Sequence, residues 1–264
     1  MASLTKEDRE RYGRQIIMPD IGIAGQEKIL NSKILVIGIG GLGSPAAFYL
    51  AAAGVGTLGL VDSDTVDLSN LQRQILHATP DLGRPKVVSA AEKLRALNPR
   101  ITVTPYQLAV KADNIGAIIR EYDFVISATD TFKSKYLIND ACLLEGVPFS
   151  HGGVIRYHGQ TLTVLPRKTA CFRCVFDEPP PTGTVMAASE AGVLGSAAGL
   201  LGTIQATEAI KYVCGTGELL TDVFLSINAS NMDFQKIKLS RHRNCPVCGE
   251  NPTITGLTDL ESVT

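Results

Sequence analysis

The run Gly38-Ile39-Gly40-Gly41-Leu42-Gly43 follows a short apolar stretch and precedes an alanine-rich one. A G-x-G-x-x-G loop in that setting binds phosphate. Its glycines let the backbone approach the anion, and the N-terminus of the following helix favours negative charge. Asp62 lies nineteen residues past Gly43, at the end of the next apolar run, where a carboxylate accepts hydrogen bonds from ribose hydroxyls. A tight strand–helix turn without a ligand is the alternative, and the placement of the acid speaks against it. The loop alone does not separate NAD or FAD from ATP.

Three cations and a second acid narrow the chemistry. Adenylation places charge on an α-phosphate and on departing pyrophosphate, and fixed cations stabilise it. Arg14, Arg73 and Lys86 are the candidates. A dehydrogenase needs no such set, although any one of them taken singly is ordinarily a solvated surface charge. Asp130 follows the apolar run 123–128, and ligands of open α/β sheets bind outside the carboxyl ends of strands. Its carboxylate would either hold Mg2+ against phosphates or cap the helix that begins near Lys133. Spacing leaves both open.

Four of the six cysteines form the pairs Cys171-Phe172-Arg173-Cys174 and Cys245-Pro246-Val247-Cys248. Two such pairs make a tetrahedral four-thiolate zinc site, and a site filled by four protein ligands is structural. The gap of about seventy residues between the pairs means that the metal would staple distant segments of chain. One redox pair beside an incidental pair is the alternative, but neither pair lies in a thioredoxin-like context. Cys142 and Cys214 fall on apolar helical runs and read as buried packing residues. His77, His151, His158 and His242 show no ligand spacing and receive no role.

The elements that would position these groups alternate. Residues 5–31 read as amphipathic helix broken at Pro19. Strands are expected at 33–38, 57–61, 101–105 and 123–128, and helices at 44–54, 84–97, 112–121 and 133–145. This order implies a Rossmann-like, doubly wound, mostly parallel sheet. After Ser150, the runs 154–165 and 222–239 alternate partially and suit added antiparallel strands. Between them lie a proline-rich loop, 177–186, and an apolar helix, 192–213. That helix carries Glu208 and Lys211, so it reads as buried rather than membrane-spanning. Its stripe Gly192, Gly195, Gly199, Gly202 and Ala206 permits close packing against a sheet or a second subunit.

The bulk numbers agree with a globular α/β protein. The chain of 264 residues is 45% hydrophobic and 19% charged, with a net charge of −1. Nothing there suggests nucleic acid or an anionic membrane as partner. The polar N-terminus is not a secretory signal, and the paired cysteines suit a reducing cytoplasm.

Taken in order, these motifs resemble the bacterial ubiquitin-activating-like adenylyltransferases, the MoeB/ThiF/HesA family, and its molybdopterin-synthase branch most closely. The likeness runs from about Arg11 to Gly249. It includes Arg11-Tyr12-Gly13-Arg14-Gln15, the glycine loop, Leu60-Val61-Asp62, Asn70-Leu71-Gln72-Arg73-Gln74, Gly83-Arg84-Pro85-Lys86 and Ser127-Ala128-Thr129-Asp130. It continues through Tyr136-Leu137-Ile138-Asn139-Asp140-Ala141-Cys142, Gly192-Val193-Leu194-Gly195, Gln205-Ala206-Thr207-Glu208-Ala209-Ile210-Lys211 and both cysteine pairs.

The resemblance implies adenylation, by ATP and Mg2+, of the Gly-Gly terminus of a ubiquitin-fold sulfur carrier. A separate sulfur donor, a cysteine desulfurase or a rhodanese, would then form the thiocarboxylate. It implies that Gly38, Gly40, Gly41 and Gly43 flank the nucleotide and that Asp62 holds the ribose. Asn70, Arg73 and Lys86 would face the phosphates, with Asp64, Gln74 and Thr131 also at the nucleotide and Asp130 on Mg2+. Arg14 would reach the partner's site in a homodimer. One domain, 1–264, would then comprise N-terminal helices (1–31), a nucleotide-binding half (32–150), an antiparallel carrier-binding and zinc half (151–249) and a tail without clear structure (250–264). Residues 175–213 contain no cysteine, so the chemistry should stop at the adenylate. No rhodanese-like segment follows Gly249. Thr131 and Lys135 stand where relatives often carry Asn and Arg. An NAD- or FAD-dependent oxidoreductase and a silent scaffold for a ubiquitin-like partner are the rival readings. The first lacks an evident acid–base set, and the second has no need of Arg14, Arg73, Lys86 and Asp130 together.

Overall fold

A computed structural model describes residues 3–181 and 188–259. Three short helices open the chain: α1 (Lys6–Arg11), α2 (Gly13–Ile16) and α3 (Gly22–Asn31). Thr5 and Asp8 cap α1 reciprocally, each side chain accepting the other's backbone N–H. Arg100 grips the same Asp8 carboxylate with two bonds of 3.1 Å, which ties these helices to the body.

The alternation then follows: β1 (Lys33–Ile37), α4 (Gly43–Ala53), β2 (Thr57–Val61), α5 (Lys86–Leu97), β3 (Thr102–Tyr106), α6 (Ile115–Ile119), β4 (Phe124–Ser127), α7 (Phe132–Glu145) and β5 (Phe149–Ile155). Next come β6 (His158–Val164), α8 (Phe172–Val175), α9 (Ala188–Ala191), α10 (Gly195–Cys214), β7 (Val223–Asn228) and β8 (Asp233–Lys238). All eight strands form one sheet in the order β3-β2-β1-β4-β5-β6-β7-β8. The first five are mutually parallel, and β6, β7 and β8 add antiparallel.

The central parallel strands β1, β2 and β4 are nearly continuous apolar runs, because helices cover both their faces. Alternation along β1 assigns each residue to a face. Ile34 and Val36 pack with residues of α4, α5 and α10, while Leu35 and Ile37 join those of α6 and α7.

The structure departs from the sequence-based expectation in four places. The helix expected at 112–121 is only Ile115–Ile119. The run 154–165 is a hairpin whose first strand starts at Phe149, so the division at 150 falls inside β5, parallel to β4 on one side and antiparallel to β6 on the other. The small-residue stripe does not act as one surface. A Cβ on Gly202 would stand 2.2 Å from the Leu42 carbonyl, and one on Gly195 2.5 Å from that of Gln72, whereas Gly199 faces open space and Gly192 is a turn with φ +82°. Finally, the tail packs: Ile254 and Leu257 join the core under α6 and α7, and the Asp259 carboxylate accepts the Ala112 N–H at 3.0 Å. The proline-rich loop 177–186 is described only to Pro181, and its remainder, 182–186, lies outside the described residues.

Candidate active site

A cleft of about 660 Å³ opens at the carboxyl ends of β1, β2 and β4. Strand order reverses there, at β1, which is the place where open α/β sheets bind ligands. Gly38 has φ +93°, which side chains rarely adopt, and a Cβ on it would meet the Ala128 carbonyl at 2.8 Å. The loop can therefore turn directly under the end of β4. Gly40 and Gly41 line the cleft, and α4 begins two residues beyond Gly41, so its unbonded N–H groups and dipole face the same opening.

The loop is clamped from behind. The Asp62 carboxylate accepts the Ile39 N–H at 2.7 Å and the Asp64 N–H at 2.9 Å. Burial pushes the Asp62 pKa up, against the pull of Lys86 and these two N–H groups. On the other side of Ile39, its carbonyl lies 3.2 Å from His77 Nε2. A carbonyl only accepts, so Nε2 carries the proton and Nδ1 accepts from Ser89 Oγ at 3.0 Å. Lys93 donates to Ser89 at 2.9 Å and also to Asp81. Burial holds His77 below its ordinary pKa. Burial would raise Asp81, but Lys93 and the Ala78 N–H outweigh it and hold the carboxyl at about 2.

The front of the cleft carries charge. Lys86, the first residue of α5, is buried with its Nζ 2.8 Å from the exposed Asp64 carboxylate. The Arg73 stem lies against Gly41 and its guanidinium donates to the Ser69 carbonyl at 3.0 Å. Among the described residues, buried Gln74 Oε1 and the Thr129 hydroxyl have no hydrogen-bond partner. Asp130 is exposed on the cleft wall. Thr131 caps α7, its Oγ1 accepting the Ser134 N–H at 3.2 Å, so the capping alternative for Asp130 falls. One carboxylate beside room for phosphate oxygens is the donor set Mg2+ ordinarily takes.

Of the expected site residues, Gly38, Gly40, Gly41, Asp62, Asp64, Arg73, Gln74, Lys86, Asp130 and Thr131 line this cleft. Gly43, Asn70 and Arg14 do not. Gly43 is where α4 closes on β1: a Cβ would fall 1.8 Å from the Gly38 carbonyl. Asn70 closes the turn below Arg73, its Oδ1 accepting the Asp67 N–H at 3.2 Å. Arg14 is exposed on α2. Sequence reading missed His77, which had no spacing signal, and the apolar wall Leu108, Ala109 and Val110; Lys135, noted in the sequence only as a departure from relatives, lines the cleft as well.

The cysteine pairs converge elsewhere. All four Sγ atoms lie within 4.8 Å of one another, with separations of 3.8, 3.6 and 3.4 Å for Cys171–Cys174, Cys171–Cys245 and Cys174–Cys248. Thiolates about 2.3 Å from a tetrahedral zinc stand about 3.8 Å apart, so the set fits a structural zinc. His242 donates its N–H to Cys174 Sγ at 3.3 Å. The first pair hangs on α7: Phe172 N–H donates to Asn139 at 3.0 Å, and Arg173 grips Asp140 with two bonds of 2.8 Å. The second pair follows β8, so the cluster closes the end of the antiparallel half onto α7.

The ThiF family profile matches residues 12–247. The chain belongs to the ThiF family. The sulfur carrier protein adenylyltransferase of Thermus thermophilus is 41% identical over 263 residues, 98% of this chain and 97% of that protein. The SAMP-activating enzyme E1 of Haloferax volcanii is 42% identical, over 99% of this chain and 95% of its own. The Bos taurus adenylyltransferase and sulfurtransferase MOCS3 is 43% identical over 99% of this chain, which spans only 58% of that longer protein. Among solved structures, E. coli MccB shares the fold with a TM-score of 0.79 at 22% identity, over 92% of this chain and 75% of its own. PaaA shares it with a TM-score of 0.77 at 22% identity, over 90% and 85%. No helix among the described residues is long and apolar enough to cross a membrane.

Proposed function

We propose that this ThiF-family chain uses ATP to adenylate the C-terminal glycine carboxylate of a ubiquitin-fold sulfur carrier. The observation that carries the reading is the convergence of Arg73, Lys86, Asp130 and the α4 N-terminus on one cleft, beside a glycine loop clamped from behind. The names of the relatives support the carrier as substrate.

A carboxylate oxygen attacks the α-phosphorus, the bond to the bridging oxygen breaks, and pyrophosphate leaves. Arg73 and Lys86 meet the charge that builds on the phosphates, Lys86 exchanging Asp64 for phosphate oxygen. Preorganised cations of this kind lower the barrier because they need no reorganisation at the moment of reaction. Asp62 retains lone pairs for a ribose hydroxyl, and the wall 108–110 suits an adenine face. Asp130 is the residue that would hold Mg2+, which neutralises phosphate charge when bound. Four cysteine thiolates would hold zinc as a structural clamp.

Arg14 is assigned to the partner's cleft in a homodimer. It sits on α2 beside Ile17, which is 69% exposed, and Met18, which is 47% exposed, a surface suited to burial against a second copy. The thiocarboxylate then forms with sulfur from a separate donor protein. Molybdopterin assembly is the first route to test, with the thiamine carrier as the other arm.

The test is exchange of labelled pyrophosphate into ATP in the presence of Mg2+ and each Gly-Gly-terminated carrier in turn. Exchange that requires a carrier with a free carboxylate is expected. Absence of exchange with every carrier, together with reduction of a bound nicotinamide, would replace this reading with an oxidoreductase. Arg14→Ala and Asp130→Ala chains, each inactive alone, should recover about a quarter of normal exchange when mixed, since half the dimers then hold one intact site. A mixture that stays inactive would place Arg14 in its own chain's site, and an Arg14→Ala chain active by itself would place it outside catalysis.

A further inference from the structure

Three cations line the cleft, and they differ in what holds them. Lys86 is paired with Asp64. Arg73 is half-buried and bonded to a carbonyl. Lys135, on the first turn of α7, is only 8% exposed, and among the described residues its ammonium donates one hydrogen bond, to the Gly152 carbonyl at 2.6 Å. An ammonium has three donors, so two find no protein acceptor among the described residues. No carboxylate among the described residues forms an ion pair with it. Asp130 lies near enough to support its charge, but burial prevails and draws the pKa down to about 8.

The strand opposite is bare. Gly152 and Gly153 interrupt β5 where it passes the cation. A Cβ on Gly152 would strike the Gln205 amide at 2.6 Å, and one on Gly153 would stand 3.5 Å from Lys135 Nζ. Both Gly153 and Lys135 line the cleft, on the Asp130 side. The result is a slot walled by glycine backbone, with a buried, underused cation at the end nearest the phosphate region. A chain terminus without side chains suits such a slot, and its carboxylate supplies the missing anion.

We infer that Lys135 binds the terminal carboxylate of the carrier, holding the oxygen that does not attack while the other faces the α-phosphorus. This rests on the adenylation reading above. It makes Lys135 a determinant of acceptor binding, separate from the residues that bind ATP.

The experiment is a cycle of two changes. Affinity of the exchange-supporting carrier is measured by titration calorimetry with a non-hydrolysable ATP analogue present, once with its free C-terminus and once as the C-terminal amide. The native enzyme should prefer the acid by about tenfold to a hundredfold, the range of a hydrogen bond to a charged group. K135M should bind acid and amide alike, at the level of the amide, while its KM for ATP stays within about twofold, as for contacts confined to one substrate. K135R should restore the preference.

A K135M enzyme that still prefers the acid would overturn the inference. So would a rise in the KM for ATP equal to that for carrier, or loss of both affinities that K135R does not repair, since these mark a phosphate ligand or a brace for β5. If no carrier supports exchange with the native enzyme, the adenylation reading itself has failed. Exchange with an unaltered acid preference in K135M removes only Lys135 from the acceptor site.

Discussion

The cysteine cluster and the cleft at the strand ends are each assembled from segments far apart in the chain, yet their polar groups end in different states. At the cluster, each sulfur faces other sulfurs, and Cys174 also accepts the His242 N–H. Three of the four residues are buried. At the cleft, the loop is pinned from behind through both the N–H and the carbonyl of Ile39. In front, among the described residues, Asp130 is open, Gln74 Oε1 lacks a donor and the Lys135 ammonium spends one donor of three. A closed, mutually satisfied set is what a structural metal needs. Groups held rigidly but left unsatisfied are what a transient ligand needs.

Removing the centre of the closed set should have the largest effect. A chelator strong enough to strip zinc, or Cys245→Ala, should destabilise the antiparallel half by several kcal/mol, since structural zinc couples its binding energy to folding (about 10–16 kcal/mol in zinc-finger peptides). Elemental analysis should find one zinc for each chain, and thermal unfolding should shift down on chelation. An unchanged melting temperature in a zinc-free preparation would show that the four thiols pack without metal.

Asp130→Ala should do the reverse. Exchange should fall by about a hundredfold to a thousandfold, the range for losing one preorganised electrostatic group. The melting temperature should barely move, because the exposed carboxylate caps nothing. Retained exchange would remove Asp130 from the Mg2+ role.

The same contrast governs what was legible in the sequence. The positions of the glycine loop, Asp62 and the cysteine pairs could be read because they depend on local spacing within a strand–turn–helix or a C-x-x-C turn. The parallel order followed from alternation of apolar runs. His77 could not be read: it lies 38 residues from Ile39, and only the fold brings its ring to that carbonyl. Lys135 drew notice only as a departure from relatives that often carry Arg, and the Gly152 carbonyl it donates to lies 17 residues on, so only the fold shows that bond. Strand β5 itself was started too late because its outer half, His151-Gly152-Gly153, breaks the apolar pattern at the point where it borders the cleft. Arg14 stays an exposed residue within one chain, and its assignment depends on a second.

The rear clamp offers a smaller effect that separates rigidity from charge. His77→Leu removes both ring hydrogen bonds, leaving the Ile39 carbonyl and the Ser89 hydroxyl each short of a partner. Two lost bonds of ordinary strength should cost about 1–3 kcal/mol of stability. The KM for ATP should rise about tenfold, while the KM for carrier changes little, because the proposed function assigns the loop to the nucleotide alone. Equal changes in both would show that the clamp supports the whole cleft rather than the loop.

The smallest effect is a pH dependence. His77 and His151 are both buried, and burial lowers the pKa of each, with Lys93 and then Lys86 adding to the effect at His77 and Lys135 adding to it at His151. In the unfolded chain both titrate near the ordinary value of about 6.5. Below that pH the unfolded state binds protons that the native state refuses, so stability is full above about 6.5 and declines as pH falls toward the lower native pKa values. Each histidine contributes at most about 1.4 kcal/mol per pH unit to that slope. Urea midpoints measured from pH 7 to pH 5 should therefore decline, and His77→Gln, which keeps a donor for the Ile39 carbonyl without a titrating ring, should flatten the decline by one histidine's share. A slope unchanged in that variant would mean that the His77 ring takes up a proton in place, breaking the Ser89 bond while the Ile39 bond survives.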